Sequence, residues 1–363
     1  MAAVETCRLP VDGGDAVFCE VTGHGPALVL THDAIVHREI WDAQFESLSR
    51  SYRVVRWDRR GYGRSDRPSA PYASDDDLAR VVASLTDPPA VLIGSSNGGL
   101  LSVQCALEHP ELVAALVLVG PIVSGLSFTG HFASRGGRRG GADLTVAAEI
   151  EYWSSTDPWF TAPANTAARD RLRALLLANP HNLQPKEHLE RAFELDTLPR
   201  LGQIAVPTLI ITGEHDIADV HAHCGAIEAG IPGASRQVLP GSGHLPHLEV
   251  PGQFDAAVLD FLTAHPGRGR ATTATVGVGA PGHDDGTAFV RLRRGKLVDG
   301  PSGQRVWDNT AAGPYEIVCP GCGDDPSRDW SEITAELRRI RGIYGTKEGA
   351  EAALMDHIGM ETR

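Results

Sequence analysis

Apolar residues in the first 216 positions gather into six short runs that close on Gly, His or Asp: AVFCEV from Ala16, ALVLTHD from Ala27, YRVVRWD from Tyr52, AVLIGSS from Ala90, LVAALVLVGP from Leu112 and VPTLIITGEHD from Val206. Most of these runs are continuous and do not alternate with polar residues, so they predict strands covered on both faces, as in a parallel sheet. Segments with helical spacing fall between many of them, which makes the fold class α/β. In such sheets the polar residues just beyond the strand ends collect where ligands bind. Thr31-His32-Asp33, Asp58, Ser96 and Asp216 hold those positions.

The alternation breaks at 124–141, SGLSFTGHFASRGGRRGG, a stretch with six glycines and three arginines. Residues 142–200 then read as mostly helical, so about 124–200 predicts a helical lid inserted into the sheet on a flexible tether. The strand pattern resumes at IAVPTLIITGEHD, continues through RQVLPGSGHLPHLE, and the amphipathic QFDAAVLDFLTAH closes a domain over 1–266. Residues 267–287 are small and glycine-rich, and read as a flexible linker. The remaining 288–363 mix strand-like AFVRLRRGKLVDG and PYEIVCPGCG with two helix-like segments, a small α+β unit to which the sequence assigns no function.

Composition narrows the possibilities. A chain of 363 residues, 42% of them hydrophobic, can bury a substantial core, and its formal charge of -13 disfavours a nucleic-acid partner. The amino terminus lacks a basic segment followed by an apolar one, and no apolar run is long enough to cross a bilayer, so the expectation is a cytoplasmic protein without a membrane partner. The cysteines, Cys7, Cys19, Cys105, Cys224, Cys319 and Cys322, suggest no disulfide framework. Cys319-Pro-Gly-Cys322 could supply half of a zinc site, but a second C-x-x-C is missing, and free thiols in a tight turn explain it as well. Arg291, Arg293, Arg294 and Lys296 read as a solvated face, or as a surface that docks the C-terminal unit on the acidic domain or on a protein partner.

The candidate chemistry starts at Gly94-Ser95-Ser96-Asn97-Gly98, a G-x-S-x-G pattern between a strand and a helix. Glycines there let the chain turn tightly enough to lift the central hydroxyl above the sheet edge. A serine hydroxyl is a weak nucleophile at neutral pH and needs a base and a carboxylate that orients the base. Asp216 ends the sixth run, and His244 follows 28 residues later in the glycine-flanked loop GSGHLPHLE.

With GSSNGG, WDRRGYGRSDRP, PTLIITGEHD and GSGHLPHLE in this order, residues 8–266 resemble the α/β-hydrolase superfamily, nearest to its lidded small-molecule hydrolases such as enol-lactonases and carboxylesterases. The resemblance implies a mostly parallel sheet flanked by helices, Ser96 as nucleophile, His244 as base and Asp216 as acid. Ser95, Glu214, Asp219 and His247 are the rivals. The backbone amides of Asn97 and Ala34 are the implied oxyanion donors. One departure stands out: relatives carry His-Gly where this chain has His32-Asp33, which puts a carboxylate beside a site that must hold negative charge.

Trp41, Phe128, Trp153, Trp159 and Phe160 are candidates to line an apolar substrate pocket. Arg59 and Arg60 read as braces that pair acidic neighbours. The expected activity is cofactor-independent hydrolysis of a small ester or lactone. Carbon-carbon bond hydrolysis with the same residues, or ligand sensing without catalysis, are the alternatives.

Overall fold

A computed structural model describes residues 3–133, 135, 145–183, 189–191 and 196–265, together with the backbone of five short strands further on. The chain divides into two compact units, Met1–Ala271 and Thr272–Arg363.

In the first unit eight strands, β1 (Glu5–Pro10), β2 (Ala16–Thr22), β3 (Ala27–Thr31), β4 (Arg53–Asp58), β5 (Ala90–Ser95), β6 (Val113–Val119), β7 (Thr208–Gly213) and β8 (Ser235–Leu239), form one sheet in the order β1-β2-β4-β3-β5-β6-β7-β8. From β4 to β8 every pairing is parallel, and β1 and β2 add an antiparallel edge. The six apolar runs are β2 to β7. Both edge strands are poorly covered, and β1 shows why it escapes a hydrophobicity reading: ETCRLP is half-exposed throughout and carries no apolar run.

Helices α1 (Asp42–Leu48), α2 (Ser74–Leu85), α3 (Asn97–Glu108), α4 (Gly130–Ala133), α5 (Val146–Glu151), α6 (Thr166–Ala178), α7 (Ala218–Gly230), α8 (Pro246–Glu249) and α9 (Pro251–Ala264) complete this unit. Neighbouring strand residues face opposite ways, so each continuous run feeds two cores. Val29, Leu92, Leu116 and Leu118 pack with Val81 of α2, Val103 of α3 and Val220 of α7. Leu28, Leu30, Ile93, Val117 and Val119 pack on the other face with Phe45 of α1, Leu172 of α6 and Phe254 of α9. Full burial of each such side chain contributes about 1.5–3 kcal/mol, which is why the central strands tolerate no polar alternation.

Helices α4 to α6 fall between β6 and β7, within the segment expected to be the lid. Arg60 braces the loop after β4 as expected, through Asp77 (2.7 Å from both Nε and Nη2) and Asp15 (3.2 Å). None of the described helices is long and apolar enough to cross a membrane.

The described parts of the second unit are antiparallel: β10 (Lys296–Asp299) pairs with β11 (Arg305–Asp308), and β12 (Tyr315–Val318) pairs with both β9 (Arg291–Arg294) and β13 (Ile343–Tyr344). The linker, the helices expected in this unit, and Cys319 and Cys322 lie outside the described residues.

Candidate active site

Ser96 joins β5 to α3 with φ +52° and ψ -112°, and among the described residues it alone combines a side chain with positive φ. Such a conformation costs on the order of 1–3 kcal/mol and persists only where the surroundings enforce it. Here the Ser96 amide donates to the Val119 carbonyl of β6 at 2.8 Å. The flanking glycines are sterically required: a Cβ on Gly94 would stand 2.2 Å from the Gly98 carbonyl oxygen, and one on Gly98 would stand 2.3 Å from that of Thr31. The same turn sends Ser95 into the core, where it is fully buried and its hydroxyl finds no partner, while Ser96 stays half-buried at a cavity wall.

His244 also lines that cavity, and its Nδ1 lies 2.8 Å from Asp216 Oδ2, which leaves Nε2 as the ring nitrogen open to a reacting group. The His244 amide donates to the carbonyls of Trp159 (2.8 Å) and Phe160 (3.1 Å), so the segment leading into α6 fixes the histidine loop. Glu249 braces it from below, accepting from the Gly243 amide at 2.8 Å and the Ala162 amide at 2.7 Å. Gly120, φ +49°, makes room for the pair, since a Cβ there would sit 2.9 Å from the His244 ring. Burial pulls the His244 pKa down, but the charge and hydrogen bond of Asp216, helped by Asp33, outweigh it and hold the pKa above the ordinary histidine value.

The rivals are occupied elsewhere. Glu214 accepts from the Gly241 amide, and Asp219 accepts from the amide and hydroxyl of Thr129. His247 is wholly buried, with no partner at either nitrogen among the described residues, and stacks 4.1 Å from the ring of Trp41. Burial, and then the neighbouring His244, push its pKa down to about 3.

The cavity has a volume of about 360 Å³. Asp33, Ala34, Ser96, Asn97 and His244 form its polar side, and Ile35, Ile122, Phe128, Phe132, Trp153, Phe160 and Val220 its apolar side, with Arg135 among the latter. Two of the expected lining residues are elsewhere. Trp41 is fully buried against His247 and Phe254, because the turn that carries it packs under α9. Trp159 contributes its carbonyl to the histidine loop while its ring meets His131 edge-on at 4.8 Å.

Asp33 does not turn its whole carboxylate into the cavity. Its Oδ1 accepts from the amides of Ile35 (2.7 Å) and Val36 (3.2 Å), tying the loop into a turn of the kind Asp favours. The turn leaves the Ala34 amide at the cavity wall without a partner among the described residues. The Asn97 amide, first in α3, has no intrahelical acceptor either and carries the positive end of the helix dipole. Asp33 Oδ2 is buried without a partner, and burial raises the pKa of this carboxyl despite the opposing Ile35 amide and His244. His32 accepts from the Arg59 amide at Nε2 and so donates from Nδ1 to the Asp33 carbonyl, fixing the loop in a neutral tautomer. Arg135 is the polar residue that sequence reading missed: its place in a glycine- and arginine-rich run gave no sign of burial.

The model of the alpha/beta hydrolase family matches residues 28–257, well over half of the chain. The chain belongs to the alpha/beta hydrolase family. This hydrolase is similar to the pimeloyl-[acyl-carrier protein] methyl ester esterase of Nitrosomonas europaea, with 28% identity over 66% of this chain and 96% of that one. A crystal structure of a hydrolase from Pseudomonas aeruginosa PA01 aligns with a TM-score of 0.59 and 30% identity, covering 71% of this chain and 98% of that one. The enol-lactonase of Burkholderia xenovorans LB400 shares the fold, with a TM-score of 0.56 and 24% identity over 69% of this chain and 98% of that one. In all three the match takes in nearly the whole of the relative and about two thirds of this hydrolase.

Proposed function

We propose that this hydrolase cleaves small-molecule esters or lactones with Ser96 as nucleophile. The observation that carries the reading is the 2.8 Å bond from His244 to Asp216 at the wall of the cavity that Ser96 also lines. His244 Nε2 takes the Ser96 hydroxyl proton as Oγ bonds to the carbonyl carbon, and the oxyanion that forms is met by the amides of Ala34 and Asn97. Collapse of the tetrahedral intermediate breaks the carbon-oxygen bond, and His244 returns the proton to the departing alkoxide. Water then attacks the acyl-enzyme by the same route, releasing the acid and restoring the hydroxyl. Asp216 keeps Nδ1 protonated and stabilises the imidazolium in both halves. Ester and lactone substrates fit the mainly apolar cavity, and the relatives named above as methyl ester esterase and enol-lactonase support that class.

The test is labelling with a fluorophosphonate. Intact protein acquires one adduct on Ser96, while Ser96→Ala acquires none and loses ester turnover by at least about 10³-fold. Equal labelling of the two proteins would remove Ser96 from the reaction.

A further inference from the structure

Arg135 takes no part in the acyl-transfer chemistry, yet it lines the same cavity. Its Nε and Nη2 donate to the two oxygens of Asp157 at 2.7 and 2.8 Å, and the residue is only 8% exposed. Its remaining nitrogen, Nη1, makes no hydrogen bond among the described residues. Phe132, Trp153 and Trp159 surround the guanidinium with ring centres at 5.6, 5.4 and 5.7 Å. That nitrogen is not buried away from the cavity, so a ligand in the cavity can reach it.

Asp157 is not held by Arg135 alone. Its carboxylate also accepts from the Tyr152 hydroxyl (2.9 Å) and from the amides of Trp159 (3.0 Å) and Phe160 (2.8 Å), so five donors share one negative charge. The bidentate grip fixes the plane of the guanidinium and points its free edge away from Asp157. The Arg135 charge is felt at His244, whose protonation it opposes. A neutral acyl chain would leave that edge unused.

We propose that Arg135 binds a carboxylate on the substrate, remote from the reacting carbonyl, so that the preferred substrates are esters or lactones bearing a free acid. The inference rests on the hydrolytic reading of Ser96, His244 and Asp216 and adds a substrate class to it. Arg135 acts here as a specificity residue.

The experiment compares kcat/KM for two charged series with uncharged esters of equal length: monomethyl esters of C4 to C8 dicarboxylic acids, and acetyl esters of ω-hydroxy acids. In the wild type at least one charged ester exceeds its uncharged counterpart by tenfold or more. In Arg135→Met that ratio falls to one or below, and in Arg135→Lys it is partly kept. Because Met leaves Asp157 buried without its cation, the wild type supplies a second measurement that needs no variant. C4 to C8 dicarboxylates and ω-hydroxy acids compete with an uncharged ester, at least one of them inhibiting tenfold more strongly than monocarboxylates. Turnover of uncharged esters with no preference and no such inhibition overturns the role of Arg135 while leaving the hydrolase reading intact, as does a preference that survives in Arg135→Met. Absence of both turnover and fluorophosphonate labelling overturns the two together.

Discussion

Asp216 decides which nitrogen of His244 carries the proton, because an ionised carboxylate 2.8 Å from Nδ1 accepts only from a protonated Nδ1. In Asp216→Asn the side chain amide can donate to Nδ1 instead, which leaves Nε2 protonated and unable to take the Ser96 proton. A loss of about 10⁴ in kcat is expected, with little change in KM. The pH profile carries a second signature. The proposed reaction requires neutral His244, so wild-type kcat/KM is expected to rise with pH through a value above the usual histidine pKa of about 6.5. Without the Asp216 charge the downward pull of burial is left, and the acid limb of the residual activity moves to lower pH. Finding the limb unmoved in Asp216→Asn would mean that another group titrates.

Asp33 is the residue at which charge and geometry separate. Asn at this position keeps an oxygen for the Ile35 and Val36 amides and removes the negative charge, whereas Ala removes both. Asp33→Asn should hold kcat within about threefold of the wild type and shift the acid limb of kcat/KM downward, since Asp33 helps to keep His244 protonated. Asp33→Ala releases the loop and lowers stability by about 1 kcal/mol, with a larger fall in kcat. If the Asn variant proves the more damaged of the two in steady-state kinetics, the carboxylate has a direct chemical role.

At the scale of elements, the site depends on close approaches that only glycine allows. Gly120 follows β6 with φ +49°, and a methyl group there meets the His244 ring 2.9 Å away. Gly120→Ala is therefore expected to push the ring off its line to Asp216 and to lower kcat by about 10²-fold or more, since small misplacements of reacting groups cost that much. The fluorophosphonate labelling rate should fall in parallel while circular dichroism stays native. Labelling at the wild-type rate would show that the loop yields without moving the ring.

This scale also shows what the sequence could reveal. The central strands, the serine turn and the order of the three polar side chains were legible because each is a local pattern with a local cause: continuous burial on two faces, a tight backbone turn, a polar residue at a strand end. What each aromatic residue faces was not. Trp41 and Trp153 look alike as tryptophans beside an apolar segment, and only the tertiary path of the chain sends one under α9 and the other to the cavity. Arg135 was hidden for the same reason, its partner Asp157 standing 22 residues away across the insertion.

For the molecule as a whole, stability in mild acid depends on how buried histidines titrate. His247 is neutral in the fold, with its pKa pushed down to about 3 by burial and by His244, whereas in the unfolded chain it returns to about 6.5. Between those values the unfolded chain binds the proton first, so this residue costs the fold up to about 1.4 kcal/mol for each pH unit below 6.5. His244 works in the opposite sense: its raised pKa contributes stability that is complete below 6.5 and lost as pH climbs through its folded value. The carboxylates held low by their partners, such as Asp157, matter only in stronger acid. In the window from pH 6.5 to 5, His223, whose pKa burial also lowers, acts in the same sense as His247. Asp77, raised to about 6 by burial, acts in the opposite sense, so a variant of His247 is needed to separate its share. Both of its ring nitrogens lack partners among the described residues, and the ring stacks on Trp41 and meets Phe254 edge-on, so phenylalanine matches its shape without burying unpaired polar atoms. His247→Phe should be at least as stable as the wild type at pH 7 and clearly more stable at pH 5, with a flatter decline between the two in chemical denaturation. An unchanged slope across that window would assign the acid sensitivity to other groups and leave the buried imidazole without energetic consequence.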